Sequence, residues 1–418
     1  MLVAEIFAVG TEILLGDIVN SNAQFLSRQL AQLGIPVYGH TAVGDNHKRL
    51  LTALEYAYTK ADVVISSGGL GPTLDDITKE VAAEYFGTTL EIHEPSMKAI
   101  RQRFESLDRE LPQNAERNAL IPVGSTPLPN HFGSAPGVLM EKDGKILILL
   151  PGPPHEMEPM FIKYAVPFLR QKTDKIFVSR TLKIVSIGET AVEEALRDLI
   201  DAQGNPTIAP YAKLGEVHLR LTASAETEAA ANALIEPVAK EIHCRLGANI
   251  YGEDEDELED AVVKLLQSKS CKLALAESCT GGHLTSLLVS VPGVSEVLNE
   301  AVVAYSNDAK TARLNVGRDQ WGDEILAKYG AVSAETARAM AKGAAEFSDA
   351  DYGLSTTGIA GPDGGTPDKP VGLVWIGLHK KGGETVSYPL KFKGSRNTIR
   401  NLAAKNALDV LRRELIFN

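Results

Sequence analysis

Cysteine is almost missing from this chain: three in 418 residues, Cys244, Cys271 and Cys279, odd in number and unclustered. That scarcity fits a reducing cytoplasm and argues against a cysteine-built metal site. Positive charge is also short, with 42 Lys and Arg against 54 Asp and Glu and a net charge of −12. No basic stripe offsets the deficit, so a nucleic-acid surface is not expected. No apolar run reaches membrane-spanning length, and the first residues lead straight into a strand pattern, with no signal peptide. The expectation is a soluble cytoplasmic protein with no nucleic-acid and no membrane partner.

The length suggests two or three domains. Residues 1–170 alternate strand and helix signals. Residues 5–9, 37–43, 62–66 and 146–150 read as strands, and Ala23, Leu26, Leu30 and Leu33 mark a helix face. Such alternation predicts a three-layer α/β domain, a parallel sheet covered on both faces, with ligands at the carboxyl ends of the strands. Three loops fall there. Gly10-Thr11-Glu12 is followed by Gly16-Asp17 and Asn20-Ser21-Asn22. The run from Ser67 through Gly68, Gly69, Leu70, Gly71, Pro72, Thr73 and Leu74 to Asp75-Asp76 is glycine-rich and feeds a helix. Pro151-Gly152-Pro153-Pro154-His155-Glu156-Met157 is the third. Backbone N–H groups of such loops cradle phosphate, and neighbouring carboxylates hold a hard divalent cation. Asp75 and Asp76 also suit a plain helix N-terminus.

Residues 171–252 read as a small α+β module of split βαβ type, a spacer or dimerisation element with no catalytic constellation. The acidic run Glu253-Asp254-Glu255-Asp256-Glu257, with Glu259-Asp260, reads as linker and helix entry, which opens an α/β C-terminal domain over residues 253–418.

In that domain the apolar run Lys272-Leu273-Ala274-Leu275-Ala276 predicts a buried strand, and Gly281-Gly282 open a helical pattern. Ser278 stands on the turn between them, near the free N–H groups of a helix start, where an oxyanion or phosphate is stabilised. Capping that helix is the other role open to it. No histidine lies in a comparable turn nearby, apart from His283 inside the helix. Lys310, beyond Tyr305-Ser306-Asn307, is a base for Ser278 if burial depresses its pKa, or one more charge on a solvated face. Thr357-Gly358-Ile359-Ala360-Gly361-Pro362 reads as a rigid wall. Arg396 opens the last helix against the sense of its dipole, and a bidentate phosphate contact explains it better than a surface ion pair.

Ser278-Cys279-Thr280-Gly281-Gly282, Tyr305-Ser306-Asn307 with Lys310, and Thr357 to Pro362 together resemble the nicotinamide mononucleotide (NMN) deamidase family. The N-terminal loops resemble the molybdopterin-binding fold as it occurs in the CinA (competence/damage-inducible) family. The resemblance implies Ser278 as nucleophile and Lys310 as base, with Tyr305, Thr357 and Arg396 in the active site. Cys279, Thr280, Gly281 and Gly361 fall on the substrate-binding turns. It implies, for the N-terminal domain, a metal-dependent ADP-ribose pyrophosphatase. Asp17, Asp75 and Asp76 are then metal or phosphate candidates, while Gly10, Thr11, Glu12, Gly69, Gly71 and Lys79 hold the nucleotide. The ligands expected are NMN and ADP-ribose, the cofactor a divalent metal ion for the N-terminal activity alone, and the assembly a homodimer. A competence-related binding protein with a pterin- or nucleotide-binding N-terminal module is the contrasting expectation.

Overall fold

The computed structural model describes residues 2–173, 175–319 and 322–418, and the chain is mixed α/β throughout. It divides into two compact units, residues 1–179 with 223–234 and residues 180–222 with 235–418. Among the described residues no helix is long and apolar enough to cross a membrane.

The first unit is built on a six-stranded sheet in the order Val37–Val43, Ala4–Val9, Val63–Ser67, Lys145–Leu150, Gly137–Lys142, Thr126–Leu128. The first four are parallel, as the alternation predicts. The last two are antiparallel, so the sheet is mixed rather than parallel throughout. The reversal comes at Asp143-Gly144, both at positive φ (52° and 75°), the backbone of a tight two-residue hairpin. Period-two alternation splits the central strands between two cores. Ile6, Ile65 and Ile148 pack with Ala23, Leu26 and Leu30 of the helix Ser21–Gln32. Phe7, Val64 and Leu147 face Leu50 and Leu54 of His47–Ala57. The three predicted loops leave the carboxyl ends of adjacent strands. There Gly68 (φ +103°) lies so close that a Cβ would stand 2.1 Å from the Val9 carbonyl oxygen.

The second unit holds a five-stranded sheet ordered Leu298–Val303, Leu273–Glu277, Tyr352–Gly358, Leu373–Lys380, Thr385–Lys391. Its first three strands are parallel and the rest antiparallel. Leu273 and Leu275 face Leu284, Leu288, Leu408 and Leu411, while Ala274 and Ala276 face Leu314, Met340 and Ala344. Burial of both faces is why this strand reads as a continuous apolar run. The helix Ala334–Ser348 lies almost on the sheet, since a Cβ at Gly353 would stand 1.9 Å from the Ala341 oxygen and one at Gly377 2.2 Å from that of Ala337.

The middle module forms a four-stranded sheet in the order Thr207–Lys213, Glu216–Ala225, Ile176–Val185, Ile250–Glu253. Within the second unit, its residues 180–222 meet the last helix, Arg396–Phe417, through charge: Lys405 pairs with buried Glu216 at 2.6 Å and Asp409 accepts from Ser186 Oγ at 2.5 Å.

Candidate active site

The strand Leu273–Glu277 delivers its last side chain, Glu277, fully buried to the start of the helix His283–Val289. The Glu277 carboxylate accepts from the N–H groups of Gly282 (2.8 Å), Leu284 (3.2 Å) and Thr285 (2.7 Å) and from Thr285 Oγ1 (2.5 Å). The helix end is therefore already occupied by an anion. Ser278 does not cap it, and the free helix N–H groups expected beside its hydroxyl are taken. Ser278 is held instead by its own N–H, which donates to the Thr356 carbonyl at 2.9 Å. Gly281 (φ +60°) and Gly282 (φ +90°) supply the left-handed backbone that turns the chain from strand to helix. The N–H groups of Cys279, Thr280 and Gly281 on this turn donate to no acceptor among the described residues.

Lys310 comes to this turn from the helix Asn307–Leu314, whose first turn is fixed by Ser306 Oγ accepting the Ala309 N–H at 3.1 Å. Its side chain is buried rather than solvated, at 1% exposure. Nζ lies 3.0 Å from Ser278 Oγ, 2.9 Å from the Ala304 carbonyl and 3.2 Å from that of Tyr305. Burial lowers its pKa from the ordinary lysine value, and among the described residues no carboxylate pairs with it. Once deprotonated, the amine has two hydrogens for the two carbonyls and a lone pair for the serine hydroxyl.

Cys279 is buried against Ala360, Val374, Ile399 and Ala403, and burial pushes its thiol up to about 12, so it stays protonated. Thr280 is buried, with Oγ1 2.7 Å from Thr356 Oγ1. Thr357 is also buried, but its hydroxyl donates to the Ala331 carbonyl at 2.6 Å. It holds the wall of the turn and is not among the partners of Ser278 or Lys310. The Tyr305 ring is exposed, and its hydroxyl accepts from Arg396 Nη2 at 3.0 Å, while Arg396 Nη1 donates to the Gly361 carbonyl at 2.8 Å. Arg396 thus joins the second and third motifs at the head of the last helix. The sequence reading assigned no role to Glu277, Thr356 or Arg400. Arg400 donates to the Thr280 carbonyl from Nε (3.1 Å) and Nη2 (2.8 Å), one helical turn beyond Arg396.

In the first unit the three loops enclose a cleft of about 560 Å³. Gly10, Glu12, Gly69, Gly71, Asp75 and Asp76 line it, as do Asn22, Asp45 and Glu156. Thr11 acts behind the wall, its N–H and hydroxyl both donating to Asp45 Oδ2 at 3.1 and 2.9 Å. Asp17 is exposed and outside the lining. Lys79 is not placed for phosphate either: Nζ is buried and donates to the carbonyls of Arg117 (2.7 Å) and Asn118 (3.2 Å). Burial lowers its pKa to about 8. Asp76 Oδ2 accepts from the Thr73 N–H (3.0 Å) and hydroxyl (2.5 Å), which fixes the loop. Among the described residues no three His, Cys, Asp or Glu side chains converge as a metal cage. Asp75 and Asp76 fit a hydrated cation that arrives with its phosphates, the usual mode for Mg²⁺.

Comparison with known proteins matches three stretches of the chain to family models. Residues 5–171 match the probable molybdopterin binding domain, residues 179–252 the damage-inducible protein CinA KH domain and residues 255–415 the CinA C-terminal domain. A CinA-like protein of Dictyoglomus thermophilum is 54% identical over 413 residues, covering 99% of each chain. A putative competence-damage inducible protein of Clostridium beijerinckii is 53% identical, again over 99% of each. The solved structure of competence/damage inducible protein CihA from Agrobacterium tumefaciens is 36% identical, covers 38% of this chain and 93% of its own, and aligns with a TM-score of 0.36.

Proposed function

The chain belongs to the CinA (competence/damage-inducible) family, and from that premise we propose that its C-terminal site is a serine amidohydrolase acting on NMN. The observation behind this reading is the buried Lys310 amine 3.0 Å from Ser278 Oγ, with no carboxylate among the described residues to hold it charged. In the reaction, Nζ takes the hydroxyl proton as Oγ bonds to the carboxamide carbon, and the carbonyl π pair moves to oxygen. When the intermediate collapses, the C–N bond breaks and Lys310 returns the proton to the departing nitrogen, giving ammonia. Water then attacks the acyl-enzyme with Lys310 again as base, releasing nicotinate mononucleotide and restoring Ser278. The N–H groups of the turn 279–281 receive the oxyanion. Arg396, held between Tyr305 and Gly361, is the phosphate contact. Ammonia released from NMN by the wild-type chain and lost in Ser278→Ala is the test; an unaffected Ser278→Ala ends this reading.

The cleft in the first unit favours a second activity, hydrolysis of ADP-ribose to AMP and ribose 5-phosphate with a divalent cation. Its support is the glycine-rich loop ending in Asp75-Asp76, both lining the cleft. A bound cation there neutralises phosphate charge and lowers the pKa of water. Asp75 and Asp76 would hold it, and the loop backbone would orient the pyrophosphate. AMP formation that stops with a chelator and falls sharply in Asp76→Ala is expected. Ligand binding without AMP, with or without metal, makes this cleft a binding module.

A further inference from the structure

The peptide between Thr280 and Gly281 has its carbonyl saturated and its N–H open. The Thr280 oxygen accepts from Arg400 Nε at 3.1 Å, Arg400 Nη2 at 2.8 Å and the His283 N–H at 3.3 Å. On the other side of the same bond, the Gly281 N–H donates to no acceptor among the described residues. Gly281 is exposed, and a Cβ there would meet only Arg400 Nη2, 3.8 Å away. Cys279 and Thr280, in contrast, are buried. Among the three open N–H groups of the turn, the one on Gly281 therefore belongs to the solvent-facing residue.

The usual source of positive potential at such a turn is the helix end, and here Glu277 has neutralised it with a buried carboxylate. A developing oxyanion needs its stabilisation from somewhere else. A guanidinium bonded to a carbonyl polarises the whole peptide unit, drawing electrons toward oxygen and making the attached N–H a stronger donor. Arg396, turned toward Gly361 and Tyr305, cannot do this.

We propose that Arg400 is a positioning residue of the acyl-transfer step: it polarises the Thr280–Gly281 peptide so that the Gly281 N–H binds the oxyanion. The proposal rests on the serine-acylation reading above. It separates the two arginines of the last helix, Arg396 toward the substrate phosphate and Arg400 toward the transition state through the backbone.

The test uses the full chain, with kcat and KM measured on NMN and on nicotinamide riboside, which lacks the phosphate. Arg400→Ala should lower kcat about 100-fold on both substrates with KM nearly unchanged, the scale of one lost oxyanion donor. Added guanidinium at millimolar concentration should restore part of it. Arg400→Gln, which keeps a neutral donor and much of the packing, should lose at least about tenfold in kcat while melting like the wild type, since a neutral bond polarises less. Unchanged kcat in Arg400→Gln overturns the proposal, and so does a loss confined to KM for NMN, which would make Arg400 a phosphate ligand. A wild-type chain that releases no ammonia from either substrate overturns the amidohydrolase reading and this proposal together. An active wild type with an indifferent Arg400→Gln overturns this proposal alone.

Discussion

At the scale of single residues, Lys310 shows a conflict between reactivity and stability. Burial holds its pKa below the ordinary lysine value, whereas in the unfolded chain the amine titrates near 10.4. Below the folded value both states are charged, and the fold carries the full desolvation cost. That cost fades as pH rises from the folded value toward the ordinary one, so this group makes the protein more stable with rising pH in that window. Lys310→Met should therefore abolish ammonia release and yet raise stability at neutral pH, measured by denaturant unfolding; a destabilised variant would show that the amine is well accommodated. The same shift places the acidic limb of kcat/KM below the ordinary lysine range, and Lys310 must lose its proton on that limb. Cys279 makes the complementary case. Its thiol, pushed up to about 12, has almost no thiolate at neutral pH, so Cys279→Ala should keep most of the kcat that Ser278→Ala removes. The reverse result would move the nucleophile to sulfur. Ser278 and Lys310 were legible because short motifs carried them. Glu277 and Arg400 were not, since a buried carboxylate or a guanidinium on a carbonyl shows only once distant segments meet. Lys79 misled for the same reason: beside a glycine-rich loop it reads as a phosphate contact, and only the tertiary fold turns it inward.

At the scale of elements, the turn 278–282 is clamped from both sides, by Glu277 on the Gly282 N–H and by Arg400 on the Thr280 carbonyl. Glu277→Gln puts an amide N–H against backbone N–H donors and leaves one of them buried without an acceptor, a loss of roughly 1–3 kcal/mol. It should lower both kcat and the unfolding midpoint; a variant that melts early with normal kcat would show that the cap supports the fold alone. Strands buried on both faces were readable as apolar runs: residues 62–66 and 146–150 fall on Val63–Ser67 and Lys145–Leu150. The edge strand Thr207–Lys213 was not. It contains Pro210 and buries only Ile208, so it shows neither alternation nor an apolar run. The antiparallel turn-back at Asp143-Gly144 did leave a signal, a two-residue hairpin pair flanked by apolar strands, which the dominant parallel pattern obscured.

At the scale of the whole molecule, buried charge holds the second unit together between the middle module and the last helix. Asp409 is buried and accepts from Arg412 (2.6 Å) and Arg413 (2.8 Å), and Arg412 also donates to the Ala248 carbonyl. Removing one partner strands the other in a dry site, so Asp409→Ala should cost about 3–5 kcal/mol in denaturant unfolding. A loss below about 1 kcal/mol would place the pair in effective contact with solvent. The two candidate sites lie in different compact units and share no residue. Ser278→Ala should therefore leave AMP formation intact, and Asp76→Ala should leave ammonia release intact; loss of both activities in either variant would reveal a dependence between them. Carriage of both sites on one polypeptide fixes their ratio at synthesis. However strongly the protein is expressed, the two centres appear in equal number, so changes in dosage raise or lower them in step. Under the proposed activities, different working rates would then come from what each centre meets, its ligand and, in the first unit, a cation.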